Sequence, residues 1–130
     1  MAASSARPVL SFLGLLALCG AYIQGGLNKL LDYPGTVAEA AHFALPLPAA
    51  AAAATIVLEL VASAMVLTGH GRRIGALALM VFTLAATALA NRYWELPAGM
   101  NRFAAANSFF EHIGLAGAFL LVALHSQRAP

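Results

Sequence analysis

Residues 49–68 read AAAAAATIVLELVASAMVLT and decide the fold. These twenty residues are apolar almost throughout and carry a single ionisable group, Glu59, at their middle. Because a helix rises about 1.5 Å per residue, the stretch matches the roughly 30 Å hydrocarbon core of a bilayer and predicts a transmembrane helix. An ionised carboxylate that faces lipid costs several kcal/mol. We therefore expect Glu59 to face other helices and to be protonated, paired or hydrogen-bonded there.

Polar side chains recur at helical spacing on this stretch and on a later apolar one. Thr55 and Ser63 lie four residues before and after Glu59, so all three share one face of the helix. Two stripes of this kind predict helix faces that point into a bundle. The residues of the second stripe, again four apart, are Thr83, Thr87 and Asn91.

The composition places the whole chain in one small integral membrane domain, residues 1–130. It is 62% hydrophobic and 9% charged, with a mean hydropathy of +0.82, far from the balance of a soluble domain. The net charge of +2 comes from basic residues that are scattered beside apolar segments. A nucleic-acid interface needs a basic patch, so this distribution argues against nucleic-acid binding.

Four apolar segments predict an all-α protein, a bundle of four transmembrane helices. The N-terminus resembles a secretory signal, but its apolar run continues past signal length, which favours an uncleaved first helix. Between the first two spans, Thr36 and Glu39 fit a capping box, which predicts a short interfacial helix over 37–45, stopped by Pro46. The spans are expected at about 9–31, 49–68, 74–90 and 107–124.

The arginine distribution predicts the orientation. Four spans put both termini on one side, and the short turn between the second and third spans carries two adjacent arginines on that side. The positive-inside rule therefore favours an inner membrane protein with both termini in the cytoplasm. The basic residues of the cytoplasmic side would be Arg7, Arg72, Arg73 and Arg128, and those of the outer side Lys29, Arg92 and Arg102.

With this orientation, the polar ends of three helices meet at the outer side. Glu59 lies deeper, about 16 Å from the outer end of its helix, and Lys29 or Arg92 has a stem long enough to reach toward it. The expected result is an outward-opening polar pocket with a carboxylate as its floor. The residues at its rim are Gln24, Asn28 and Lys29; Asn91 and Arg92; and Asn107, Glu111 and His112.

Structural roles compete with functional ones at each of these positions. Glu59 is either a register-fixing hydrogen-bond or ion-pair partner, or a proton, ligand or quinone contact. Lys29 and Arg92 are also typical interface anchors, because long basic side chains at helix ends reach toward water. His112 suits a proton carrier near neutral pH, yet Glu111 and His112 are equally typical of an interfacial helix start.

Other chemistry has little support in the sequence. The lone Cys19 allows neither an internal disulfide nor a redox pair, and no Ser-His-Asp set, phosphate loop or dinucleotide fingerprint is present. We therefore expect no metal site, and the sequence shows no evident catalytic set of its own. The four histidines fall in different segments and form no ligand cluster: His42, His70, His112 and His125.

Three motifs together resemble the DoxX family of small four-helix bacterial inner-membrane proteins. They are GGLNKLLDYPG at 25–35, ELVASAMVLTGHGRRIGALAL at 59–79, and NSFFEHIGLAGAFLL at 107–121. The resemblance covers nearly the whole chain in the family's order. The family pattern maps here onto Gly26, Lys29, Glu59 and the turn at Gly69 with Arg72 or Arg73. Many members carry a lysine where this chain has Glu111 and His112.

The resemblance implies a role in a membrane redox assembly. The family is named after a subunit of a thiosulfate:quinone oxidoreductase, and some members are associated with sulfurtransferase and superoxide dismutase partners. The leading hypothesis is thus an accessory or anchor subunit of a redox or sulfur-stress complex, with quinone as the one cofactor implied. The alternative is a small oligomeric transporter in which Glu59 is a proton or cation site. An enzyme acting without partners ranks third.

Overall fold

The computed structural model describes the backbone of residues 2–126 and the side chains of residues 6–126. Within that part the chain is helical, and four of its helices are long and apolar enough to cross a bilayer. The helices are α1 (Ala2–Leu31), α2 (Tyr33–His42), α3 (Pro48–Thr68), α4 (Arg72–Ala90) and α5 (Met100–Ser126), with a 3-10 turn at Tyr93–Glu95 before α5.

The spanning helices pack in the order α1, α3, α4, α5. The central helix α3 contacts α1 and α4, α5 packs on α4, and α2 lies against α3 and α1. The remaining side of the bundle, between α1 and α5, is packed more loosely; we call it the α1–α5 seam. Its rings Tyr22 and Phe119 meet edge to face with centroids 5.3 Å apart, and cavities lie toward both ends of the seam.

The polarity of the bundle is that of a membrane protein. Glu59, Ser63, Thr83 and Thr87 are buried, so the two polar stripes face the interior. Large apolar side chains cover the outside instead, among them Val57, Val61, Val81 and Leu121. This distribution lowers the free energy of the fold in lipid, because apolar side chains face hydrocarbon. Glu59, Thr83 and Thr87 have hydrogen-bond partners, whereas the buried Ser63 hydroxyl has none among the described residues. The interior cluster is Cys19, Tyr22, Ala62, Val66, Ala76, Leu79, Phe119 and Ala123.

Glycines allow α3 to approach both of its neighbours closely. A Cβ on Gly26 of α1 would lie 2.7 Å from Leu60 Cδ2, and a Cβ on Gly75 of α4 would lie 2.8 Å from the Ala62 carbonyl oxygen. Contacts shorter than 3 Å between these atoms are repulsive. A larger residue at Gly75 would meet backbone and push α3 and α4 apart, whereas one at Gly26 would require the Leu60 side chain to move. Small residues at crossings of this kind are typical of transmembrane packing.

The helix boundaries differ from the predicted ones by more than two residues at three places. The backbone of α1 is helical from Ala2, seven residues before the predicted start of the first span at residue 9. The predicted capping box is wrong: Asp32 caps α2 by accepting from the Gly35 N–H at 3.2 Å, and the single Thr36 hydroxyl proton is shared between the Lys29 and Asp32 carbonyl oxygens, at 3.1 and 3.0 Å. The short helix accordingly begins at Tyr33 and ends at His42, before Pro46. The last helix begins at Met100 instead of residue 107, because the chain is already helical through the polar residues Asn101 and Arg102 and the apolar residues that follow them. Residues 107–112 therefore lie inside α5 and not at its start.

Candidate functional site

Glu59 forms a buried ion pair with Lys29. The Lys29 ammonium, in the last turn of α1, donates a hydrogen bond to Glu59 Oε1 at the middle of α3. The Glu59 side chain is only 4% exposed, whereas that of Lys29 is 26% exposed. Lys29 thus reaches inward along its aliphatic stem from the end of α1, and its charge offsets the cost of burying the carboxylate.

The backbone of α1 makes room for this carboxylate. A Cβ on Gly25 would lie 3.1 Å from Glu59 Oε2 and 3.6 Å from Lys29 Nζ. The absence of a side chain at Gly25 therefore lets the second carboxylate oxygen lie against α1. Gly25 and Gly26 together set the α1–α3 distance at which the ion pair forms.

The ion pair borders a cavity of about 370 Å³ that is lined by all four spanning helices. Its walls are mostly apolar and aromatic, with the charged pair on one side and two more polar residues of α5 on the other. A cavity of this size falls within the range of small-molecule sites. Its lining residues are Ala21, Tyr22, Lys29, Glu59, Phe82, Thr83, Ala86, Glu111, His112 and Leu115.

A chain of hydrogen bonds fixes the hydroxyl groups of the cavity wall. The Tyr22 and Thr83 hydroxyls are hydrogen-bonded to each other, and Thr83 also donates to the Leu79 carbonyl oxygen at 2.6 Å. Since Thr83 has one proton and uses it toward Leu79, Tyr22 is the donor in the first bond. The Tyr22 oxygen is therefore left as an acceptor at the cavity wall.

The Lys29 ammonium also lies at the junction of three spaces. It is 6.0 Å from the centroid of the Phe82 ring, which is within the distance of a cation–π interaction. A second cavity of about 310 Å³ extends from Lys29 and Phe82 under α2 to Phe43 and Leu45. A third, of about 200 Å³, lies between Lys29 and the exposed residues Asn28, Asp32 and Glu39. These spaces connect the surroundings of the ion pair with the surface of the protein near α2.

The comparison with protein families identifies the group to which this bundle belongs. The DoxX sequence profile matches residues 11–92, which include Lys29, Glu59 and the cavity-lining part of α4. The chain belongs to the DoxX family. The inner membrane protein YphA of Escherichia coli is 30% identical over 123 residues, which cover 92% of this chain and 85% of YphA. This DoxX protein is accordingly an integral, multi-pass protein of the inner membrane. No solved structure gives a significant match.

Of the residues predicted at the rim, only some reach the cavity of this DoxX protein. Gln24 is exposed on α1, and Asn28 is exposed beside the small surface cavity. The amide of Asn91 donates to the Thr87 hydroxyl at 3.0 Å within its own helix. Arg92 donates to the Ala88 carbonyl oxygen and pairs with Glu95 at 3.4 Å, and both side chains of that pair are exposed. Lys29, not Arg92, is therefore the partner of Glu59.

The α5 residues Glu111 and His112 line the cavity opposite the ion pair. His112 Nδ1 lies 2.7 Å from the Ser108 carbonyl oxygen. Because a carbonyl oxygen only accepts, Nδ1 carries a proton, and Nε2 is the ring nitrogen left free to contact a ligand. Glu111 is exposed on its other side, and Asn107 lies outside the cavity on an exposed position. These two α5 residues lie beyond the segment that the family profile matches.

Tyr22 and the aromatic side of the cavity were not predicted from the sequence. A signal was available, because Tyr22 and Lys29 are seven residues apart on one helix and so lie on one face. No group of three or more His, Cys, Asp or Glu side chains suited to a metal ion occurs among residues 2–126. The residues that line the cavity offer a ligand hydrogen bonds, charge and aromatic contact.

Proposed function

We propose that this DoxX protein is an accessory membrane subunit of a redox complex and that the Lys29–Glu59 cavity binds the ring of a quinone. The observation that carries the proposal is a buried carboxylate, neutralised by a lysine, at the wall of a ring-sized cavity between four transmembrane helices. A pair needed only for helix register would not require an adjoining cavity. The proposal of redox partners rests on the membership of the chain in the DoxX family.

The donors and acceptors of the cavity suit both oxidation states of such a ligand. The Lys29 ammonium has further N–H groups beside the one that it gives to Glu59, and these fit a quinone carbonyl oxygen. The Tyr22 oxygen and Glu59 Oε2 are acceptors, and they fit the hydroxyl groups of a quinol. The walls formed by Phe82, Leu115 and the Tyr22 ring supply apolar and aromatic contact.

A bound quinone would supply the electron-accepting chemistry, which none of the side chains that line the cavity provides. The residues of the chain would bind and orient its ring and hold protons close to its oxygens. Glu59 and His112, on opposite sides of the cavity, are the two groups suited to exchange protons with it. With both termini in the cytoplasm, as the arginine distribution favours, the cavity would lie toward the outer leaflet.

The cation-transport alternative fits the geometry less well. The Lys29 ammonium already occupies the position at Glu59 Oε1 that a transported cation would take. A proton or cation site at Glu59 would therefore first require Lys29 to move away. The structure supports a neutral ligand beside an intact ion pair more directly than a cation between its members.

Binding of a short-tailed ubiquinone analogue to purified, delipidated protein in nanodiscs tests the proposal. We expect Glu59→Gln to weaken binding by about tenfold or more, since it removes the charge that holds Lys29 at the cavity and a charge-assisted hydrogen bond contributes about 1.5–3 kcal/mol. The matched control is Glu95→Gln, the same substitution in the exposed Arg92–Glu95 pair. Equal affinity of the two variants would refute the proposed site.

A second pair of variants tests the cavity without altering charge. Ala86→Leu adds volume at a residue that lines both larger cavities, so we expect it to reduce quinone binding. Ala88→Leu places the same side chain two residues away at an exposed position and is expected to bind as the unaltered protein does. Unchanged binding by Ala86→Leu would place the ligand elsewhere.

A further inference from the structure

A further pair of cavities lies at the opposite end of the bundle, where the turn at residues 69–71 joins α3 to α4. We call this the turn end. A groove of about 460 Å³ lies there in the α1–α5 seam. Its walls are apolar and come from Gly14, Leu15 and Leu18 of α1 and from Leu121 and Val122 of α5. The groove is thus wide enough and apolar enough for part of an acyl chain.

The Arg72 side chain lies at the end of this groove. Arg72 lines the groove together with His125 and Ser126, and it also lines an adjoining cavity of about 550 Å³ that includes Arg73. The Arg72 Nε–H donates to the Val66 carbonyl oxygen at 2.7 Å. This bond fixes the guanidinium at the end of α3, where its remaining N–H groups border both cavities.

Within the described part of the chain, the side-chain charge around the groove is of one sign. Every acidic residue of the chain lies at Glu59 or on the other side of it, toward the Lys29 end: Asp32, Glu39, Glu59, Glu95 and Glu111. Among the described residues, the turn end therefore has arginine and histidine side chains without a carboxylate to neutralise them. A cationic rim above an apolar groove is complementary to an anionic headgroup above an acyl chain.

We propose that the turn end binds one anionic glycerophospholipid. Its phosphate lies between Arg72 and Arg73, since guanidinium groups form strong paired hydrogen bonds with phosphate, and one acyl chain occupies the groove between α1 and α5. Basic pockets between transmembrane helices are a recurrent way of binding anionic lipids. The lipid would complete the packing of the α1–α5 seam, where helix contact is weakest, and would hold α5 on α1.

Native mass spectrometry of the full chain, released from vesicles of phosphatidylglycerol, phosphatidylethanolamine and phosphatidylcholine in equal amounts, tests this proposal. We expect retained lipid to be mainly phosphatidylglycerol. Arg73→Gln should reduce its retention about fivefold, the factor that corresponds to about 1 kcal/mol for one basic residue at a lipid surface. Arg102→Gln removes an equal charge from an exposed residue at the other end of the bundle and should leave retention unchanged.

The groove has its own pair of variants. A Cβ on Gly14 meets no atom within 4 Å, so Gly14→Leu fits the fold and fills the groove, and we expect it to abolish selective retention. Gly117→Leu is the control, because Gly117 on α5 also has open space at its Cβ but does not line the groove. Equal retention of the three lipids, equal loss with Arg73→Gln and Arg102→Gln, or unchanged retention with Gly14→Leu would each overturn the proposal.

Discussion

Removing the lysine from the buried ion pair should destabilise the bundle more than removing the glutamate. In Lys29→Met, a carboxylate whose side chain is 4% exposed loses its counter-charge and has no path to water through its own side chain. In Glu59→Gln, the amide is neutral, and the Lys29 ammonium, already 26% exposed, moves outward to solvent. Loss of Lys29 therefore leaves a buried charge without a counter-charge, whereas loss of Glu59 leaves a charge that can reach solvent.

The expected magnitudes follow from this asymmetry. Breaking a buried pair so that one charge stays uncompensated costs about 3–5 kcal/mol. For Lys29→Met we expect the free energy of unfolding to fall by about 3 kcal/mol, the low end of that range, because the pair is partly exposed. For Glu59→Gln we expect about 1 kcal/mol, the net value of one hydrogen bond. The double variant Lys29→Met with Glu59→Gln leaves no buried charge and should be more stable than Lys29→Met alone.

Unfolding by dodecyl sulfate in mixed bicelles, followed by circular dichroism, gives the required free energies for a double-mutant cycle. Arg92→Met is the control, since its pair with Glu95 is exposed and exposed pairs contribute about 0–1 kcal/mol. The reasoning requires a coupling energy between Lys29 and Glu59 of about 2 kcal/mol. It fails if Lys29→Met costs no more than Arg92→Met, or if the double variant is less stable than Lys29→Met.

Three further substitutions test the packing around the site. Gly25→Ala places a Cβ 3.1 Å from Glu59 Oε2, so we expect it to lower both stability and quinone affinity. Gly20→Ala on the same helix has open space at its Cβ and should lower neither. Equal quinone binding by the two variants in nanodiscs would contradict this prediction. Gly75→Ala brings a Cβ within 2.8 Å of a backbone oxygen of α3, and we expect a loss of about 1–3 kcal/mol in the same unfolding assay, an unaltered midpoint being the refuting result. Tyr22→Phe removes one interhelical hydrogen bond and should lower the free energy of unfolding by about 0.6 kcal/mol. It should also weaken the binding of quinol more than that of quinone. An equal effect on both ligands would argue against the hydroxyl oxygen as an acceptor.

The spanning helices were predictable because hydropathy responds to the bilayer itself. The stretch 49–68 has the length of the hydrocarbon core, and the structure places α3 at Pro48–Thr68. The ends of the other helices were less predictable, since a helix continues beyond the membrane wherever its backbone is satisfied. For α5 this adds the residues from Met100 to 106. At α2, Asp32 and Thr36 both suit an N-cap, and the proline in the first turn after Asp32 favours the earlier start that the structure has.

The partner of Glu59 illustrates what sequence leaves undetermined. Lys29 and Arg92 both have stems long enough to reach the middle of the bundle, and charge does not distinguish them. Helix rotation does: Arg92 donates to the Ala88 carbonyl oxygen at the end of its own helix, whereas Lys29 points toward α3 beside Gly25 and Gly26. The inward position of Glu59 followed from the energetic cost of facing lipid. The sequence also predicted a polar pocket at Glu59, but its aromatic wall, and which of the predicted rim residues line it, depend on the packing of four helices.

Extraction from native membranes in mild detergent, with mass spectrometry of all co-purifying proteins and lipid-soluble molecules, tests the central claim most directly. The account predicts a soluble oxidoreductase and stoichiometric quinone with the unaltered protein and with Glu95→Gln, and loss of the quinone with Glu59→Gln. A homo-oligomer that carries neither quinone nor oxidoreductase would contradict the account.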